Sequence, residues 1–566
     1  MDLSEKYIQE NATILLKGIW YSELPPIIDF EQFDLCILDA LNDINNKHTK
    51  DYRFKNDFIE NFSNVSSPQY IRKPGVEGIT FYDFKHNKTL REMQIPNLKH
   101  YIAFIYNTLL VYNDIFTELY LNDDNKHIVE NSNSYLMFEK TFEIRTDYDD
   151  SIEEIEAGIF AEKNNKITGS AMIKRNRKRY HNKQNVYLYK MKMDLESFFP
   201  NLYTHYFHRI FYKEPLLSLD FPEEYFEFLD IFHQRINDNQ TKGIPAGVFS
   251  SHVAAELCML CIDYQINNLI SGKNVAYIRY VDDFTFFANS KELLEDLKTK
   301  VQQILNDYRL RINGNKTEIT DCIFDYPKVD TEELKIMFPW LYDYKATIFT
   351  DEKLVQIKKY ISKLIKERNN SQIKTLLTLF VNKISHSQFY FGTTEEEYFS
   401  FFVQLSQSNT MVASKAYSVI NIIIEKSDVK EKYIEKLLDI CDDIDLKFSN
   451  TVLQIWHYYV ISKNCKQDKI DYLISKLKDT NNNPIILSLL VRTGKGANKQ
   501  LFTYIKDDYT RISKANNWKK EIMYSKYWLP LFTIRLRDTQ DYEHWFNSNN
   551  YPDILKKFSL ISDDTL

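Results

Sequence analysis

Between Pro339 and Pro484 the chain holds no proline and a single glycine, Gly392. Proline removes a backbone donor and glycine adds entropy to the unfolded chain, so a stretch almost free of both is permissive for long helices. Apolar residues recur there at helical spacing over Leu354–Ile365, Ile373–Ile384, Val412–Ile424 and Thr451–Ile461. Asn, Asp, Lys and Ser clusters separate these segments, which predicts helices stacked in antiparallel pairs. The whole chain has only 12 glycines among 566 residues, which argues against a glycine-punctuated all-β protein. An apolar content of 44% is enough to offset chain entropy, so disorder is excluded as the main state.

Residues 1–130 read as mostly helical, interrupted at Pro25-Pro26, Pro68, Pro74-Gly75 and Pro96. Residues 131–330 are mixed, with strand-like runs at Asn185–Met193 and Val275–Phe287. The six cysteines are too sparse for a disulfide scaffold and fit a reduced, cytoplasmic protein. Cys258 and Cys261 form a CxxC inside an apolar helical run, without a second pair at zinc-site spacing. The longest apolar stretch, Ile102–Tyr112, is too short to span a bilayer, and no membrane partner is expected. Charge is uneven: residues 147–162 are acidic, whereas Lys174, Arg175, Arg177, Lys178, Arg179 and Lys183 follow without an acid. That run reads either as a solvated loop or as a phosphate-contacting stripe, with Tyr180 and His181 placed to stack on bases.

The most informative stretch is Tyr277-Ile-Arg-Tyr-Val-Asp-Asp-Phe-Thr-Phe-Phe-Ala288. Its composition is that of two strands joined by a tight turn, with Asp282 and Asp283 at the end of an apolar hairpin. A second alternating run, Tyr187–Met193, ends in Asp194. Carboxylates from separate strands are the hard oxygen ligands that two-metal phosphoryl transfer requires. Between them, Gly243-Ile-Pro245-Ala-Gly247 enters an apolar helix and would let backbone approach a ligand closely.

In order, Asp194…Phe199, GIPAG, YVDD and Asn315-Lys316-Thr317 resemble motifs A to D of a reverse transcriptase palm. Arg91-Glu-Met-Gln-Ile-Pro96 and Ser134-Tyr135 resemble fingers motifs of bacterial reverse transcriptases. The resemblance covers about residues 90–325. It implies Asp194, Asp282 and Asp283 as ligands of two Mg²⁺ ions, with Mn²⁺ as an alternative, and Lys316 as general acid for the pyrophosphate. Phe199 would exclude a ribose 2′-OH, while Gly243, Pro245 and Gly247 would line the nucleotide. Arg91 and the Lys174–Arg179 run would grip the triphosphate of a dNTP.

Two departures narrow the group: Ala246 stands where motif B has glutamine, and no thumb motif E follows Asp321. Together with the helical C-terminal third they resemble the abortive-infection reverse transcriptases of bacteria. That resemblance implies an α+β fold with an N-terminal helical extension (1–90), fingers and palm (91–330) and an all-α HEAT-like domain (331–566). It further implies a homo-oligomeric antiphage polymerase that works without a template and is primed by a tyrosine, leaving single-stranded DNA covalently attached. Tyr52, in a polar stretch ahead of the fingers, is the favoured primer, with Tyr21 and Tyr7 behind it. The alternatives are an RNA-templated reverse transcriptase of retron or group II type with an RNA partner, and a non-catalytic helical scaffold.

Overall fold

The computed structural model describes residues 76–119 and 170–537 apart from short breaks. It also describes scattered positions at 12–27, 41, 53 and 54, and short stretches between 131 and 168. Tyr7, Tyr52, Ser134, Tyr135 and the side chains of Lys174, Arg175 and Arg177 lie outside the described residues.

Beyond helical positions at 12, 15, 16 and 41, the described residues form strands β1 (Ile79–Phe84) and β2 (Leu90–Ile95), an antiparallel hairpin in which Asp83 faces Arg91. Residues 79–95 thus depart from the helical reading of 1–130, and the hairpin spans the expected boundary at 90/91. β-Branched and aromatic residues make up most of β1, and Ile79 and Phe81 are fully buried. Helix α1 (Leu98–Phe116) follows and buries the Ile102–Tyr112 run in the core. Among the described residues no helix is long and apolar enough to cross a membrane.

The basic run is helical, within α2 (Ser170–Gln184), rather than a loop. It leads into β3 (Tyr189–Asp194), which begins later than the sequence suggested because a turn and its exit take up Asn185 to Leu188. Helices α3 (Glu224–Ile236) and α4 (Phe249–Ile270) come next, then β4 (Val275–Tyr280), β5 (Asp283–Ala288), α5 (Lys291–Asp307) and β6 (Glu318–Asp321). The four strands form one antiparallel sheet in the order β6-β3-β5-β4. Alternation along β3 puts Met191 and Met193 on the side of the large core, with Phe284 and Phe286. Lys190, Lys192 and Asp194 fall on the opposite face. Cys258 and Cys261 are buried in α4, where burial pushes the Cys258 thiol up to about 12 and keeps it neutral.

From residue 351 the chain is a helical array: α6 (Asp351–Lys366), α7 (Asn370–His386), α8 (Glu395–Ser408), α9 (Ala413–Lys426), α10 (Lys430–Asp439), α11 (Cys441–Phe448) and α12 (Val452–Asn464). The shorter helices Gln467–Lys476 and Pro484–Leu489, then Lys495–Ser513 and Trp528–Arg537, continue it. Helix α9 packs on α7, α8 and α12, and α12 is buried along almost its whole length. The array departs from all-α where Thr347–Ile348 pairs in parallel with Phe389–Tyr390 and where Thr451 bridges to Tyr82.

Candidate active site

Register alone brings the first two acids together. Asp194 ends β3 directly opposite Asp283, which opens β5, and Asp283 also faces Tyr280 at the end of β4. Val281 and Asp282 form the two-residue turn between β4 and β5. Val281 has φ 53°, at the turn position where a type II′ hairpin takes glycine. A β-branched residue held in that region costs about 1–3 kcal/mol, so the surrounding structure must impose it.

The acids act on one another. Burial, then the charges of Asp282 and Asp194, then a hydrogen bond shared with Asp194 push Asp283 up to about 6. Burial, reinforced by Asp194, raises Asp282, and Lys316 and Arg91 oppose it. Carboxyls this close share a proton before they share a charge. Lys316 Nζ lies 2.9 Å from Asp194 Oδ2, and Asn313 Nδ2 donates to the same oxygen at 3.3 Å. The backbone N–H of Asn313 also donates to the Asp194 carbonyl at 2.7 Å, which locks the Lys316 turn to the end of β3.

Arg91 approaches from the β1–β2 hairpin. Its companion, Lys85, which follows β1, carries no motif that marks it in the sequence. Burial lowers the Lys85 pKa, the Arg91 and Lys316 charges lower it further, and Asp282 and Asp194 oppose them. The hairpin therefore sets two cations against the acids. A six-residue offset on a hairpin that read as helix hid this pairing.

Phe199 sits five residues past Asp194 in a short helical turn, Phe198–Asn201, with its ring edge-on to His252 at 5.5 Å. The GIPAG turn packs on that turn: Ile244 N–H donates to Phe199 O at 3.0 Å and Gly243 N–H to Leu202 O at 2.9 Å. Gly243 (φ +93°) and Gly247 (φ +85°) adopt backbone that L-residues rarely take, and Pro245 lies half-buried between them. Tyr21, expected among the mobile priming tyrosines, is instead 5% exposed. Its hydroxyl donates to Ala246 O at 3.0 Å and to Gln94 O at 2.8 Å, so it braces the GIPAG turn against β2. A buried tyrosine and a mobile one look alike in sequence.

Helix α2 lies on the sheet face that carries Asp194. The Lys190 and Lys192 ammonium groups stand 5.8 Å from the Tyr180 ring, which meets Phe287 edge-on. Tyr180, expected to stack on bases, is thus engaged by the sheet. Arg179 Nη1 donates to Ser132 O at 3.1 Å.

The donor set is chemically right for a hard divalent cation: three carboxylates crowded at one end of the sheet, countered by lysine and arginine. Among the described residues no three His, Cys, Asp or Glu side chains form a ready-made cage. In this state Lys316 and Asp283 take up the Asp194 carboxylate.

The family described as "Reverse transcriptase (RNA-dependent DNA polymerase)" matches residues 147–345. A curated relative, the Retron Se72 reverse transcriptase of Salmonella heidelberg (strain 579083-10), is 29% identical over 102 residues. That match takes in 17% of this chain and 25% of the relative, so the chain spans about a quarter of its length. Among solved structures, apo telomerase from Candida tropicalis aligns with TM-score 0.33 and 11% identity, over 70% of this chain and 69% of that one. Candida albicans telomerase in complex with a fragment of telomeric RNA aligns with TM-score 0.29 and 9% identity, over 74% and 66%. Alignments this weak carry no argument. Residues 147–345, which contain Asp194, Asp282, Asp283 and Lys316, thus match a reverse transcriptase domain, the domain of an RNA-directed DNA polymerase and so of a nucleotidyltransferase.

Proposed function

We propose that the chain is a DNA polymerase of reverse-transcriptase type that adds dNTPs by two-metal phosphoryl transfer. The observation that carries this reading is the meeting of Asp194, Asp282, Asp283 and Lys316 at one end of the sheet, with Lys85 and Arg91 opposite. Asp194 and Asp282 would hold two Mg²⁺ or Mn²⁺ ions, with Asp283 supporting them. Bound there, the ions would ease deprotonation of the attacking hydroxyl and offset charge on the phosphates.

The chain's own residues do the rest. Lys85 and Arg91 neutralise the triphosphate. Lys316, already beside Asp194, supplies a proton to the departing pyrophosphate. The Phe199 ring walls the sugar, and the Gly243–Gly247 turn lets backbone lie close under the nucleotide.

The finer reading is an antiphage abortive-infection enzyme, homo-oligomeric, acting without a template and primed by a tyrosine. Ala246 in place of the motif B glutamine and a helical array in place of motif E support it. HEAT-like stacking of the array belongs to the same reading, supported by α9 packing on α7, α8 and α12. A second reading, an RNA-templated enzyme, is favoured by the retron match. A non-catalytic scaffold is disfavoured, since all three acids and Lys316 are retained.

The test is incubation of purified protein with single labelled dNTPs and Mg²⁺, with and without RNA. Incorporation without RNA supports the template-free reading, incorporation only with RNA the templated one, and none under either condition the scaffold. Asp194→Asn or Asp282→Asn should lower incorporation by about a thousandfold or more, several kcal/mol of transition-state stabilisation, while melting at or above the wild-type temperature. Full incorporation by a folded double variant would remove this cluster as the active site.

A further inference from the structure

Behind the catalytic turn lies a charge that the mechanism has not used. Arg279 is 0% exposed and every N–H of its guanidinium is engaged. Nε donates to both Asp263 oxygens at 3.0 Å. Nη2 reaches Asp263 Oδ2 at 2.6 Å, Glu256 Oε1 at 3.0 Å and Ser132 Oγ at 3.3 Å. Nη1 divides between Glu256 Oε2 at 2.9 Å and the carbonyl oxygen of Val281 at 3.0 Å. Glu256 and Asp263 project from one stripe of α4, two turns apart, and the hydroxyls of Ser132 and Tyr277 donate to them. The Arg279 backbone N–H donates to Asn131 O at 2.9 Å.

Val281 is the strained residue of the turn that presents Asp282 and Asp283. A two-residue turn with a β-branched side chain at φ 53° would relax unless something held it. Its carbonyl is held from beneath by a cation that two buried carboxylates fix in place. We propose that Arg279 is a positioning residue for polymerisation: clamped by Glu256 and Asp263, it holds the Val281 carbonyl and so fixes the geometry in which Asp282 and Asp283 face Asp194. This rests on the polymerase reading. The same hub reaches α2, because Ser132 O accepts from Arg179.

The chemistry explains why arginine is needed. Only a five-donor fork reaches two carboxylates and a carbonyl together; a lysine ammonium has three donors on one atom. Arg279→Lys therefore keeps the charge that balances Glu256 and Asp263 but loses the simultaneous grip on Val281. A second variant, Arg279→Met with Glu256→Gln and Asp263→Asn, removes every charge of the cluster, a replacement buried ionic groups often tolerate.

Three quantities are measured on the full chain: melting temperature, Mn²⁺ binding by electron paramagnetic resonance, and kcat and KM for one dNTP. Expected are folded variants with about tenfold weaker Mn²⁺ binding and at least tenfold lower kcat at near-unchanged KM, partly restored in Arg279→Lys by excess Mn²⁺. Folded variants with wild-type Mn²⁺ affinity and kcat would overturn the proposal. Failure of both variants to fold would also overturn it, making the cluster a folding element. If the wild-type chain neither binds Mn²⁺ nor incorporates dNTP, the polymerase reading itself fails, a distinct result.

Discussion

Phe199 is the side chain that the proposed polymerase reading assigns to substrate choice. Its position is fixed from two sides, by the Ile244 N–H bonded to its carbonyl and by His252 against its ring. A wall held this firmly discriminates sterically. Phe199→Ala should raise use of ribonucleotides relative to deoxynucleotides by about 10–100-fold, the range that pocket contacts of this size give. Melting temperature is checked first and then single-nucleotide incorporation; an unchanged ratio in a folded variant would move the gate elsewhere. Asp194, Asp282 and Asp283 were legible as residues at strand ends, because alternating and β-branched apolar runs lead up to them. Lys85, Arg279 and Tyr21 were not, since a charge beside a strand or a tyrosine in a helical stretch has the same sequence signature at a surface as at a site.

Elements transmit these positions through glycine and through buried polar groups. At Gly247 an added Cβ would lie 2.5 Å from Tyr21 Cε1 and would adopt φ +85°. Gly247→Ala should therefore destabilise by about 2–3 kcal/mol and loosen the turn beneath the nucleotide, seen in denaturant unfolding. A stability equal to wild type would mean that Tyr21 does not brace this turn. Within the array, His457 of α12 lies between Tyr417 and Cys441, fully buried, and burial lowers its pKa to about 3. The folded ring stays neutral while the unfolded ring takes a proton below about 6.5. Its stabilising contribution is thus complete above pH 6.5 and is lost as pH falls toward 3. His457→Gln should flatten the stability profile between pH 6.5 and 4 by up to one proton, measured by unfolding across that range; an unchanged slope would show that other groups dominate it. The four expected array helices matched the structure closely, because apolar residues at helical spacing without proline admit few other folds. The β1–β2 hairpin escaped because its solvent-facing residues, Leu90, Arg91 and Glu92, break the strand alternation.

At the scale of the molecule, the helical array reaches the hairpin that carries Lys85 and Arg91, the cations proposed to meet the triphosphate. Tyr82 N–H on β1 donates to Asn450 O at 2.9 Å, and Tyr82 pairs in parallel with Thr451. Phe84 meets Phe448 edge-on at 6.2 Å, and Trp456 Nε1 donates to Glu23 O at 2.7 Å. Burial raises the Asp83 carboxyl pKa, the Glu23 charge adds to this, and Lys374 of α7 and Arg91 oppose it. An isolated two-stranded hairpin is marginal in water, so this lateral support bears directly on how firmly Lys85 and Arg91 face the acids. Asparagine at position 450 suits the task, since its φ of 58° is one that asparagine tolerates better than most residues. The contact leaves the β3–β5 acids untouched, which separates its effect from that of the catalytic turn. Replacing Phe448 and Trp456 together with alanine should therefore raise the dNTP KM about tenfold, roughly 1.4 kcal/mol of lost triphosphate binding, with kcat and Mn²⁺ affinity near wild type. Steady-state kinetics on the folded double variant decides it. An unchanged KM would mean that the hairpin holds itself in place, whereas a fall in kcat at constant KM would assign the array to the catalytic turn.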